Sequence, residues 1–202
     1  MNVPTPETNA PERLWTIPNI LSLGRLLMTA VIVVTIDNGY WDAAIALFII
    51  SALSDWFDGW IARTFDQATV LGRQLDPLVD KIAVIAVLIH LAALPGSGVR
   101  PWMVSVILAR ELIIQALRSH LESASVGFGA KMAGKLKMAF QCFAIVAVLW
   151  VFRSGDGEAV PTLKIVRDVL VWIALGLTIY SGGAYLMRAR TLFDSLGKGA
   201  GG

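Results

Sequence analysis

The sequence predicts an all-α integral membrane bundle, six transmembrane helices behind a short N-terminal interfacial segment. Composition is the first reason. Of 202 residues, 56% are hydrophobic and only 16% charged, whereas a water-soluble domain is roughly one quarter charged because it must cover itself with polar groups. Mean hydropathy is +0.67, as expected of a chain that turns much of its surface to lipid. The second reason is layout. Apolar stretches fall at about 20–37, 41–57, 77–94, 101–118, 136–152 and 166–187. A helix of 18 residues rises about 27 Å, close to the hydrocarbon thickness of a bilayer.

The elements follow in order. Residues 1–19 are polar and Pro-rich, without the charged start and small-residue cleavage site of a signal peptide. Residues 13–16 read as an amphipathic lead-in along the membrane interface, with Pro18 opening the first span. Asp37-Asn38-Gly39 and Pro95-Gly96-Ser97-Gly98 read as tight turns that close helical hairpins. Arg153 to Pro161 reads as a surface loop, and the glycine-rich end as a flexible tail. The expected division is therefore 1–19 as the N-terminal segment, 20–190 as the membrane domain and 191–202 as the tail. Trp15, Tyr40, Trp41 and Trp102 stand at span ends, where amphipathic rings anchor to headgroups. Cys142, the single cysteine, lies in an apolar stretch and reads as a small buried hydrophobe. His90 and His120 read as isolated residues.

Charge sets the orientation. The net charge of +2 is too small to argue for nucleic acid as a partner. With the N-terminus inside, only Arg100, Arg153, Lys164 and Arg167 fall on the outer side, leaving thirteen of the 17 basic residues inside. The positive-inside rule then puts both termini, and the acidic cluster described next, at the cytoplasmic face.

That cluster is Asp55, Asp58, Asp76 and Asp80, which sits against membrane-grade apolar sequence. Carboxylates near hydrocarbon are expensive and mark function. Asp55 and Asp58 are i,i+3 neighbours, Asp76 and Asp80 i,i+4 neighbours, so each pair presents two carboxylates on one helical face. A hairpin would bring the pairs together, and four like charges in a poorly solvated cleft need cations to stay ionised. An all-oxygen donor set favours Mg²⁺ or Mn²⁺ over Zn²⁺, and two facing pairs are able to bridge two metals, an arrangement typical of phosphoryl transfer. Gly59 and Ala62 lie at i+4 and i+7 from Asp55, leaving that face free of bulk for close helix packing or close ligand approach alike. Arg63 follows, within reach of a phosphate or a carboxylate.

A second polar cluster occupies "ARELIIQALRSHLESASVGFGAKMAGKLKMAFQ". Glu111 reads as the partner of a nearby arginine, since a lone intramembrane charge is costly. Lys131 and Lys198 read as contacts to anionic lipid. Arg110, Arg118, Lys135 and Lys137 are candidates for holding a substrate phosphate, for which arginine offers a bidentate fork.

The stretch "DWFDGWIARTFDQATVLGRQLDPLVD" resembles the signature of the CDP-alcohol phosphatidyltransferases, D-x2-D-G-x2-A-R-x8-G-x3-D-x3-D. Asp55, Asp58, Gly59, Ala62, Arg63, Gly72, Asp76 and Asp80 fill every fixed position. The resemblance implies the six-helix fold of that family, a homodimer, and transfer of a phosphatidyl group from CDP-diacylglycerol to an alcohol with release of CMP. It implies that the four aspartates surround two divalent cations, that Asp80 is also the general base, and that Gly59, Ala62, Arg63 and Gly72 form the nucleotide site.

Four further stretches, "IPNILSLGRLL", "LDPLVDK", "ARELIIQALRS" and "AGKLKMAFQ", resemble the branch of the family that uses glycerol 3-phosphate. Two positions depart from it: Met138 follows Lys137 where that branch commonly has Thr, and the Ser22–Leu23 region lacks its common Thr. Phosphatidylglycerol, inositol phosphate, inositol and serine are the alternative acceptors. A cation transporter would also carry intramembrane carboxylates, but these sit at one edge of the bundle and no inverted repeat accompanies them.

Overall fold

The computed structural model describes residues 17–65, 70–123, 132–155 and 160–199, with side chains described within them except at 17–22, 55–65, 70–78, 80, 118, 120–123, 132–133, 135 and 192–199. Six helices make up the described chain: α1 (Ile17–Asp37), α2 (Trp41–Phe65), α3 (Val70–Ala93), α4 (Pro101–Ser123), α5 (Met132–Arg153) and α6 (Val160–Gly199). The interfacial lead-in expected at 13–16 lies outside the described residues.

Local chemistry explains the helix ends. Gly39 adopts φ 74°, and the amides of Gly39 and Tyr40 donate back to the carbonyls of Ile36 (3.1 Å) and Thr35 (2.9 Å). This paired return is a Schellman cap, which needs a left-handed residue and so favours glycine. After α3, Pro95 and Gly96 (φ 82°) occupy the middle of a turn closed by Ser97 N–H on the Leu94 carbonyl at 3.3 Å, the residue pattern of a type II turn. Pro101 starts α4, where its missing N–H has no helical acceptor to satisfy.

Two expected boundaries move. Pro161 belongs to the first turn of α6 rather than to a loop, because proline is tolerated there. The segment expected as a tail from 191 is helical as far as Gly199, since α6 propagates through "TLFDSL" before its glycines accumulate.

Three contacts fix which helix ends meet. His90 Nδ1 lies 2.9 Å from Asp37 Oδ1, joining the last turns of α3 and α1; His90 is therefore paired, not isolated. Arg153 at the end of α5 bonds Asp42 at the start of α2. Arg167 in α6 donates from Nη1 to the Gly96 carbonyl at 2.6 Å. The helices thus alternate in direction. One end of the bundle holds the glycine turns; the other holds the aspartates of α2 and α3.

The two ends are built differently. The apolar core fills the glycine-turn half, with Ile36, Phe48, Leu91, Val104, Leu149 and Leu175 among its buried members. Trp41 packs against its edge, partly buried and stacked on Phe152 at 4.9 Å between ring centroids. Cys142 also packs against this core. Toward the aspartate end a smaller apolar cluster of Ile114, Tyr185 and Ala189 shares the interior with buried polar residues, Glu111, Lys137, Gln141, Thr178 and Ser181. The outside is apolar. Leu27, Val34, Phe143, Ile165, Trp172 and Met187 are all exposed.

Paired polar groups within the interior, and large apolar side chains exposed on the outside, suit a membrane-associated protein whose solvent is hydrocarbon. Among the described residues two helices, through Leu136–Arg153 and Val160–Thr191, are long and apolar enough to cross a bilayer by themselves, while α2 and α3 contribute shorter apolar segments at Trp41–Ser54 and Lys81–Ala93.

Candidate active site

The aspartate end is assembled from consecutive helices. Asp55, Asp58, Gly59, Ala62 and Arg63 occupy the last turns of α2, and Gly72, Asp76 and Asp80 the first turns of α3. Both helices pack against α1. The alternation fixed at the glycine-turn end therefore sends both aspartate pairs to the same end of the bundle. Their side chains, like those of Gly59's neighbours Ala62 and Arg63, lie outside the described residues. α3 runs through Pro77 between its two aspartates, a residue that removes one backbone donor from the helical ladder.

Beside these helices α4 presents a polar face. Glu111 and Gln115 are i,i+4 neighbours, and each reaches a different helix. Gln115 Oε1 accepts from Lys81 Nζ, tying α4 to α3 at the residue after Asp80. Glu111 Oε1 accepts from Lys137 Nζ of α5 at 2.5 Å and from Arg110 Nη1 at 2.9 Å. Arg110 continues to α6, donating from Nη2 to Ser181 Oγ at 3.1 Å. Its guanidinium also sits over the Tyr185 ring, 5.7 Å from the centroid. One turn deeper, Gln141 Nε2 donates to Thr178 Oγ1 at 3.2 Å.

A buried carboxylate survives when paired and hydrogen-bonded; removing one member of such a pair costs about 3–5 kcal/mol. Three helices are therefore tied together by groups that no apolar contact would hold in register.

Two predicted acceptor residues, Arg110 and Lys137, meet on one carboxylate. The side chains of the other two, Arg118 and Lys135, are outside the described residues. Glu111 does pair with an arginine as read from sequence, and with a lysine besides. Gln115, Gln141, Thr178, Ser181 and Tyr185 were not singled out in the sequence. Their signal was available in spacing, because Thr178, Ser181 and Tyr185 recur at i, i+3 and i+7 along one face of an otherwise apolar helix.

Among the described residues no group of three or more His, Cys, Asp or Glu side chains is placed to hold a metal. The side chains of the four aspartates are not among those residues. As a donor set, two carboxylate pairs carried to one end of the bundle suit hard divalent cations.

A bundle with this signature at one end defines a class. Residues 15–180 match the CDP-alcohol phosphatidyltransferase family, and the chain belongs to it: a membrane-associated enzyme of that class. Relatives narrow the comparison. The chain is 32% identical over 180 residues, 88% of its length and 98% of the relative's, to CDP-diacylglycerol–glycerol-3-phosphate 3-phosphatidyltransferase of Rickettsia typhi. It is 35% identical over 146 residues, 72% of each chain, to the Bacillus subtilis protein of that name. It is 32% identical over 214 aligned residues to that of Cereibacter sphaeroides, covering 87% of this chain and 96% of the relative.

Proposed function

We propose that this chain transfers the phosphatidyl group of CDP-diacylglycerol to glycerol 3-phosphate, forming phosphatidylglycerophosphate and CMP. The observation that supports the reading is the complete eight-residue signature, carried on the last turns of α2 and the first turns of α3. The names of the relatives support the acceptor, and so does the cationic cluster beside the signature.

Asp55, Asp58, Asp76 and Asp80 would hold two divalent cations, Mg²⁺ or Mn²⁺. Bound there, the cations would neutralise charge on the pyrophosphate oxygens. Gly59, Ala62 and Gly72 would let the cytidine nucleotide approach the helix backbones, with Arg63 beside it. Arg110, Arg118, Lys135 and Lys137 would take the acceptor's phosphate and so present its hydroxyl in line. Asp80 would accept the hydroxyl proton as the oxygen bonds to the phosphorus bearing diacylglycerol. The bond from that phosphorus to the CMP oxygen breaks, and CMP leaves.

In this reading all six helices cross the inner membrane, both termini and the active site face the cytoplasm, and the enzyme is a homodimer among membrane lipids with no nucleic-acid partner. The positive-inside count supports the orientation.

An acceptor panel tests the proposal. Purified protein with CDP-diacylglycerol and Mg²⁺ is offered glycerol 3-phosphate, inositol phosphate, inositol, serine and phosphatidylglycerol, and CMP is followed. Glycerol 3-phosphate is expected to drive release; release with another acceptor and none with this one overturns it. Asp80→Asn is expected to purify folded and to lose release by about 10²-fold or more, and full CMP release from that variant removes Asp80 from the base role.

A further inference from the structure

We propose that Glu111 is a positioning residue for this transfer, holding Arg110 and Lys137 together as one cationic receptor for the acceptor's phosphate. The inference rests on the phosphorylated-acceptor reading above.

Geometry supports it first. A single oxygen, Glu111 Oε1, receives both Lys137 Nζ and Arg110 Nη1, at 2.5 and 2.9 Å. Two cations from α4 and α5 are thereby gathered at one point, although electrostatics alone would push them apart. Side chains of all three are at most 11% exposed.

Arg110 is oriented on every side. Ser181 takes its other terminal nitrogen, Tyr185 lies under its plane, and its stem runs across Gly182, where a Cβ would come within 3.0 Å of Cγ. Its buried Nε has no hydrogen-bond partner among the described residues. A guanidinium carries five donors, so this fork is held in place with binding capacity to spare.

Charge argues next. Two cations share one carboxylate, so the described cluster keeps one unit of positive charge where burial makes excess charge costly. A phosphate completes such a cluster through charge-assisted hydrogen bonds.

Location argues last. Gln115, one turn from Glu111 toward the aspartate end, holds Lys81, the residue after Asp80. One face of α4 thus registers the cationic pair against the helix that carries the base. Glu111 itself need not touch substrate; it acts through the two cations.

Kinetics of the purified protein decide between this role and a purely structural weld. Relative to wild type, E111Q is expected to raise KM for glycerol 3-phosphate about tenfold or more, the loss of one charged hydrogen bond. KM for CDP-diacylglycerol should stay within about twofold. E111D, which keeps the charge, should recover most of the loss.

The double variant E111Q/K137M has the wild-type net charge. It should regain thermal stability lost in E111Q while KM for glycerol 3-phosphate stays high, and it carries the comparison if E111Q does not fold. Equal rises in both KM values, or a double variant with wild-type KM for glycerol 3-phosphate, overturns the proposal. Wild-type turnover of glycerol 3-phosphate with an unchanged E111Q overturns it alone. A wild-type enzyme that uses only acceptors without a phosphate overturns the acceptor reading as well.

Discussion

Gly98 holds φ 75° where the α3–α4 turn passes under α6, and a Cβ there would lie 2.7 Å from both Arg167 Nε and Asp168 Oδ1. Two penalties coincide: a left-handed backbone that side chains resist, and a collision with the ion pair of buried Arg167 and half-exposed Asp168. Gly155 has φ 57° and a Cβ there would meet nothing within 4 Å among the described residues, so it meets only the first. Gly98→Ala is therefore expected to cost about 1–3 kcal/mol and Gly155→Ala about 1 kcal/mol, read as thermal midpoints in one detergent. Equal losses would show that the contact with Arg167 adds nothing. Residue type at such places was legible: "PGSG" announces a turn in the sequence. What the spelling did not disclose is that Gly98 is also the floor on which Arg167 rests, 69 residues away in the chain, because that closeness exists only once α6 has packed.

At the scale of elements, two arginines at the glycine-turn end look alike in sequence and differ in surroundings. Arg167 is buried and joins α6 to the turn before α4 through the Gly96 carbonyl, with Asp168 2.7 Å from its Nη2. Arg153 joins α5 to α2 through Asp42, but its side chain is 44% exposed and that of Asp42 77%. Solvent screens the second pair, which leaves it worth about 1 kcal/mol at most. Hydrogen bonds from a buried charged group are worth about 1.5–3 kcal/mol. Arg167→Leu should thus lower the unfolding free energy in a denaturant titration clearly more than Arg153→Leu. The opposite order would show that burial does not set the strength of these two contacts. Element positions were largely readable, as the apolar stretches at 41–57 and 101–118 became α2 and α4. Both helices extend well past those stretches, to Phe65 and Ser123, because a helix carries its backbone bonds through polar sequence beyond the lipid-facing part. Hydropathy marks where a segment meets hydrocarbon and is silent on where its hydrogen-bond ladder stops.

The whole molecule is a bundle whose larger apolar core lies at the glycine-turn end, while toward the aspartates a smaller apolar cluster is mixed with a buried polar network. Such a division suits a protein that stands in lipid and does its chemistry at one surface: packing supplies rigidity at one end, and charged groups hold the other in register. The proposed orientation makes the direction of α6 testable. After Cys142 is replaced by Ala, a cysteine at Lys164 should react in intact cells with an impermeant maleimide, whereas one at Thr191 should react only after permeabilisation. Reversed labelling would invert the topology, and labelling of both in intact cells would end it.

Sequence order alone settled the class of the protein, since the eight signature positions, their helical spacing and the apolar stretches around them are local facts. It also settled that Asp55, Asp58, Asp76 and Asp80 belong to neighbouring segments. The tertiary structure decided which cations share a carboxylate. Glu111 lies beside Arg110 in the chain, but its bond to Lys137 spans 26 residues and the bond from Arg110 to Ser181 spans 71. Burial gives those bonds their strength, and burial is a property of packed helices that no single segment possesses.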